Sequence, residues 1–344
     1  MKKLILRLKR ILLQLIKFLS AGAVALIILS LFCFAFCFAG IHIRNESGAT
    51  DYKWEPHQWK STVFEGYAWL QMDEKGFNNQ SANDQNPDIL IMGSSHMEAV
   101  NIPASKNVAS LMNTSLPMSV YNIGTSGHTI YTCIKNMDAA IEEYHPNKYV
   151  ILETSMINLS ISQMQDVLDG NTETIPSYDS GMLYLLQKYV PAIKTIYKNI
   201  IDWKDADNTP PLPISASASQ TTVENSYEDI LEQFLNKASS TIQKNGAKLI
   251  IFYHPKTSIN EKGEYITTTD HQKLSIFKEI CQSLDIIFID MTEPFKTMYQ
   301  QQHVLPHGFS NTAVGNGHLN EHGHRVIADT LIQSIMGDKE NGIK

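Results

Sequence analysis

Residues 88–96 read Asp88, Ile89, Leu90, Ile91, Met92, Gly93, Ser94, Ser95, His96. A run of consecutive apolar residues closed by a glycine-serine turn is how a strand buried on both faces presents itself, since a strand with one wet face would alternate. Similar short runs recur at 119–123, 148–153, 248–253 and 286–290. Between them, 130–144, 226–245 and 271–284 carry helical spacing. In the second of these, Ile230, Phe234, Ala238 and Ile242 share one face, and Gly246 stops the helix. A last helix after Asn320 places Ile327, Leu331 and Ile335 on a stripe. This alternation predicts an α/β domain over 88–340, with helices on both sides of a five-stranded, mostly parallel sheet. An insertion at about 159–222 leaves the carboxyl edge of the third strand, where ligands of such sheets bind, and is expected to overhang that edge as a lid.

Before the domain the composition changes. Residues 1–17 hold Lys2, Lys3, Arg7, Lys9, Arg10 and Lys17 and no acid, and 18–43 are uncharged. That stretch exceeds the roughly 20 residues a helix needs to cross a bilayer, and it is longer than the apolar part of a cleavable signal. One transmembrane helix is expected over 18–43, with 1–17 cytoplasmic and the rest extracytoplasmic by the positive-inside rule. Residues 44–87 are polar, interrupted by Trp54, Trp59, Tyr67 and Trp69, and read as a connecting arm whose aromatics pack it against the domain.

The formal net charge of −7 leaves no basic footprint for nucleic acid. Of the four cysteines, Cys33 and Cys37 lie in the apolar helix, while Cys133 and Cys281 fall in predicted helices; buried single thiols are expected, with no chemistry assigned.

The turn after strand one exposes the Ser95 hydroxyl at a helix start, whose free N–H groups suit a developing oxyanion. Strand two runs into Asn122, Ile123, Gly124, Thr125, Ser126, Gly127 at the same sheet edge. Gly317, His318, Leu319, Asn320, Glu321, His322, Gly323, His324 come just before the last helix, again at that edge. A histidine there takes the serine proton and returns it to a leaving group, which is what activates an otherwise unreactive alcohol. The string His318 to His322 also matches the His-x-x-Glu-His pattern of one zinc-peptidase class, but glycines bracket it and only a short tail follows. No metal and no cofactor are expected.

The glycine-serine turn, the Asn-x-Gly-x-Ser-Gly turn and the late His-x-Asn segment together resemble the SGNH (GDSL-type) hydrolase superfamily over roughly 88–336, and so imply its flavodoxin-like fold. The Gly-Ser-Ser start and the topology are similar to its membrane-anchored branch, which includes the exported protein of teichoic-acid D-alanylation. The resemblance implies Ser95 as nucleophile, His318 as base and then acid, and Gly127 and Asn158 as oxyanion donors. Two positions depart from the pattern: Gly315 stands where the family has an aspartate, and Asn158 falls one residue late.

The expected activity is that of a membrane-anchored serine esterase or O-acyltransferase working through an acyl-serine. The expected partners are an acylated cell-envelope glycan or teichoic polymer, lipid around the N-terminal helix, and a membrane-embedded acyltransferase. With the aspartate absent, a catalytically inactive protein that binds or presents the polymer is the alternative.

Overall fold

The computed structural model describes residues 2–36, 40–62, 65–80, 86–171, 181–190, 192, 226–312 and 315–341. Helix α1 (Lys2–Phe36) opens the chain, and its stretch Lys3–Cys33 is long and apolar enough to cross a membrane by length and composition. The last residues of the expected span leave the helix and enter β1 (His42–Arg44).

The arm has more structure than its polar composition suggests. Strand β1 pairs antiparallel with β2 (Tyr52–Trp54), and β3 (Trp59–Thr62) with β4 (Ala68–Gln71), giving two short ribbons. Tyr52 and Trp54 are buried, as packing aromatics should be, with the Trp54 ring 3.7 Å from that of His42. Trp59, Tyr67 and Trp69 instead face solvent. Strand alternation explains the split, because β4 buries Ala68 and Leu70 and thereby turns Trp69 outward.

The five expected strands are β5 (Ile89–Met92), β6 (Val120–Asn122), β7 (Tyr149–Thr154), β8 (Lys248–Tyr253) and β11 (Ile287–Asp290). All pair in parallel, in the order β11-β8-β7-β5-β6. A small antiparallel ribbon, β9 (Thr257–Ile259) with β10 (Tyr265–Thr267), lies between β8 and β11 in the chain. The sheet is a doubly wound one whose direction of growth reverses between β5 and β7, and ligands of such sheets bind in that crevice.

Side chains of alternate parity feed two cores. Leu90 and Met92 of β5 join Phe234 and Phe277 on one face, while Ile89 and Ile91 join Phe295 and Leu331 on the other. The expected three-layer α/β/α architecture follows. The helices are α2 (Ser95–Glu98), α3 (Val108–Ser115), α4 (Ile130–Lys135), α5 (Met137–Tyr144), α6 (Ile161–Asp169), α7 (Gly181–Tyr189), α8 (Tyr227–Lys244), α9 (His271–Ser283), α10 (Thr292–Gln302) and α11 (Glu321–Asn341). Helix α8 starts at a capping box in which Ser226 and Asp229 satisfy each other's N–H groups, and it buries Ile230, Phe234, Ala238 and Ile242. The single helix expected over 130–144 is two, broken at Asn136, whose Nδ2 donates to Asp51 of the arm at 3.2 Å. Of the expected lid, α6 packs under α8, where Val167 O accepts from Lys237 at 2.8 Å. Helix α7 is tied to the arm through Tyr184 and Lys188, both on Glu55. Of 159–222, residues 172–180, 191 and 193–222 lie outside the described residues.

Candidate active site

Ser95 is the first residue of α2, directly beyond β5 at the reversal point of the sheet. Ser94 caps the helix, its hydroxyl accepting from His96 N at 3.2 Å, and so points the next side chain outward. The Ser95 Oγ lies 2.9 Å from His318 Nε2. The other ring nitrogen of His318, Nδ1, lies 2.6 Å from Glu65 Oε2, and its backbone N–H donates to Glu65 Oε1 at 2.5 Å. A serine, an imidazole and a carboxylate thus form one hydrogen-bonded row.

His318 is placed by its neighbours. Asn320 Oδ1 caps α11 through His322 N and Gly323 N, while its Nδ2 donates to Leu305 O and Gly308 O. The segment is thereby stapled between the helix start and the preceding loop.

Glu65 is the residue that sequence reasoning missed. It sits in the connection between β3 and β4, in the arm, thirty residues before the nucleophile. Asn101 Nδ2 holds its carbonyl at 2.9 Å, and Asn311 clamps Gly66 through both its N–H and its C=O. The glycines around His318 explain why the carboxylate comes from there. At Gly315, φ is +74° and an added Cβ would lie 2.9 Å from Thr257 O, so the position expected to carry an aspartate has no room for a side chain. Gly317 is at φ +91°, and a Cβ there would come 2.1 Å from Glu65 Oε1, so the approach of Glu65 to the loop requires glycine. A hairpin signal was available: the alternating run Ala68, Trp69, Leu70, Gln71 follows a glycine two residues upstream.

The second glycine turn packs where expected. Thr125 N donates to Gly93 O at 3.0 Å, and Asn122 Nδ2 to Met97 O at 2.7 Å, locking it to α2. The arm shapes this turn from the other side: the Tyr52 hydroxyl donates to Ser126 O, and Glu98 accepts from Ser126 Oγ and from Trp54 Nε1. Burial holds the Glu98 carboxyl above the usual range. Gly127 is at the turn's corner, at φ +79°. Ser95 N–H and Gly127 N–H make no hydrogen bond among the described residues. Asn158 is exposed in the loop after β7 and likewise makes none.

Of the remaining histidines in the late segment, His322 is exposed and His324 is buried. Among the described residues no three His, Cys, Asp or Glu side chains converge as metal ligands. Cys33, Cys133 and Cys281 are buried free thiols.

Burial, with the nearby His254, drives the imidazoles of His307 and His324 down to about 3. Both are neutral in the fold, whereas an unfolded chain protonates them from about pH 6.5 downward. Stability contributed by these neutral rings is therefore complete above about pH 6.5 and lost progressively toward pH 3, a fall on the order of 2–5 kcal/mol by pH 4.5. The thermal midpoint of the detergent-solubilised chain, followed by near-ultraviolet circular dichroism, is expected to drop by many degrees between pH 7.5 and 4.5. A flat profile would contradict it.

No protein-family model matches the chain, and a search of curated proteins finds no relative. Solved structures do match. An acetyl xylan esterase, AlAXEase, is 14% identical, with 72% of this chain and 99% of that one covered, at a TM-score of 0.40. The psychrotrophic esterase EstA from Pseudoalteromonas sp., inhibited by monoethylphosphonate, is 14% identical over 75% of this chain and 100% of its own, at a TM-score of 0.37. A member of the lipolytic G-D-S-L family from Veillonella parvula is 14% identical over 71% and 96%, also at 0.37.

Proposed function

We propose that this protein is a serine esterase or O-acyltransferase of SGNH type, anchored by α1 and facing outward from the cell membrane. In this reading it acts on acyl esters, such as acetyl esters, of a cell-envelope polysaccharide or teichoic polymer. The observation that carries the chemistry is the unbroken row from Ser95 Oγ through His318 to Glu65, at 2.9 and 2.6 Å. His318 Nε2 accepts the hydroxyl proton as Oγ bonds to the ester carbonyl carbon, and the imidazolium so formed is stabilised by Glu65. The negative charge passes to the carbonyl oxygen, met by Ser95 N–H and Gly127 N–H, with Asn158 as the further donor. Collapse breaks the ester C–O bond, the leaving alcohol takes the proton from His318, and an acyl-Ser95 remains. Water or a polymer hydroxyl then attacks the acyl carbon as it gives its proton to His318, and the bond to Ser95 Oγ breaks as that oxygen takes the proton back from His318, releasing the acyl group as acid or new ester. Transfer draws its acyl groups from a membrane-embedded acyltransferase. The motive for an inactive polymer-binding protein was the missing aspartate, and Glu65 supplies that carboxylate.

Labelling tests this directly. A fluorophosphonate probe is expected to modify the full-length chain at Ser95 and to leave Ser95→Ala unlabelled; a folded wild type that resists the probe would defeat the reading.

The polymer part of the proposal has support in the arm. Trp59 and Trp69, 41% and 54% exposed with ring centroids 5.3 Å apart, stand at a cavity of about 650 Å³ that Gln71 and Asp73 also line. Flat apolar rings beside polar groups suit the faces and hydroxyls of sugars. The Trp59→Ala/Trp69→Ala double variant is expected to raise KM for an O-acetylated polysaccharide about tenfold, as two lost ring contacts would, while kcat/KM for p-nitrophenyl acetate stays unchanged. Equal effects on both substrates would remove the cavity from the reading.

A further inference from the structure

A second carboxylate–imidazole pair lies directly behind the nucleophile turn. Glu153 is near the end of β7 and His254 immediately follows β8, on the two adjacent central strands. Glu153 Oε1 and His254 Nε2 are 2.6 Å apart, with both side chains only 1% exposed. The other carboxylate oxygen, Oε2, accepts from Ser94 N at 2.7 Å. The turn rests on the carboxylate so closely that a Cβ on Gly93 would come within 2.8 Å of that same oxygen.

From His254 the contact continues toward the base. Its ring meets that of His96 edge to face, at 4.7 Å and 74°. His96 Nδ1 in turn accepts from Leu319 N at 3.2 Å, the residue joined to His318. One buried carboxylate is therefore tied on one side to the residue before Ser95, and through two rings to the residue after His318. Burial alone would raise the Glu153 carboxyl, but the hydrogen bonds from His254 and Ser94 outweigh it and hold the group below its usual range.

Stability gives little reason for such a pair to exist. Apolar residues of the same volume commonly serve a core as well as a buried carboxylate–imidazole pair does, because taking the charge out of water is costly. Its position at the reversal point of the sheet, bonded to the residue before Ser95 and linked through His96 to the residue after His318, gives a different reason.

We propose that Glu153 and His254 are positioning residues that set the separation of Ser95 and His318, acting through Ser94 on one side and through His96 on the other. The proposal rests on the acyl-Ser95 reading. Neither residue touches the reacting atoms, and their contribution is to keep a proton-transfer distance short that the two turns would not hold alone.

The test uses the full-length chain in detergent, with the fluorophosphonate labelling rate and the kcat and KM for p-nitrophenyl acetate as readouts. His254→Leu and His96→Leu are expected to lower both the labelling rate and kcat by about 10- to 100-fold, with KM little changed, since a misplacement of an ångström costs on that scale. His96→Asn, whose Oδ1 can accept from Leu319 N in place of Nδ1, is expected to recover most of that loss, which a purely packing role would not predict. If His254→Leu fails to fold, the half-buried His96 pair decides by itself. Folded His96→Leu with the wild-type labelling rate would overturn the proposal, as would His96→Asn no better than His96→Leu. A folded wild type without labelling would overturn the acyl-serine reading and this proposal with it.

Discussion

His318→Ala is expected to lower kcat for a small ester by about a million-fold, the scale seen when a hydrolytic triad loses its base. The reason is geometric: the imidazole nitrogen 2.9 Å from Ser95 Oγ is the group placed to take its proton. Ser95→Ala should cost as much, and the double variant no more than either single one, because the two side chains perform one proton transfer between them. Steady-state kinetics on the three variants check this. Additive losses would mean that the two residues act separately.

Glu65→Gln is expected to reduce kcat by about ten thousand-fold while leaving KM and the fold nearly intact, the scale on which an amide fails to replace a triad carboxylate. Two effects act together. The amide cannot offset the imidazolium charge, and its NH2 group facing Nδ1 favours the tautomer with the proton on Nε2, which then cannot accept from Ser95. Glu65→Asp is a sharper control, since it keeps the charge and shortens the reach; the backbone contact to His318 N, at 2.5 Å in the native chain, would be lost with it. Glu65→Gln with near-wild-type kcat would show that His318 needs no carboxylate.

The sheet was readable because its strands are buried on both faces, so Ile89 to Met92 and Leu249 to Tyr253 stand out as unbroken apolar runs. Ser95 and His318 were readable for a related reason: each lies at the join of a recognisable element and a turn, and in a parallel sheet such joins gather at one edge. Glu65 obeys neither rule. It comes from a ribbon of two four-residue strands, of which β3 holds Trp, Lys, Ser and Thr with no alternation and only β4 alternates buried and exposed positions, a signal too short to separate from irregular polar chain. Its partner loop was misleading as well, because Gly315 occupies the position at which an aspartate was sought and the backbone there leaves no space for one. The break at Asn136 was hidden for the same kind of reason, since helical spacing runs through it and only the Asp51 contact from the arm shows why the chain turns.

Because the carboxylate comes from the ribbon of β3 and β4, the unit that folds and the unit that reacts have different limits. A fragment starting at residue 88 would keep the whole parallel sheet, the nucleophile and the base, and would still lack the group that balances the imidazolium. Grafting the sheet domain onto another N-terminal segment would therefore transplant an architecture while leaving its reactivity behind, in the ribbon between α1 and the sheet.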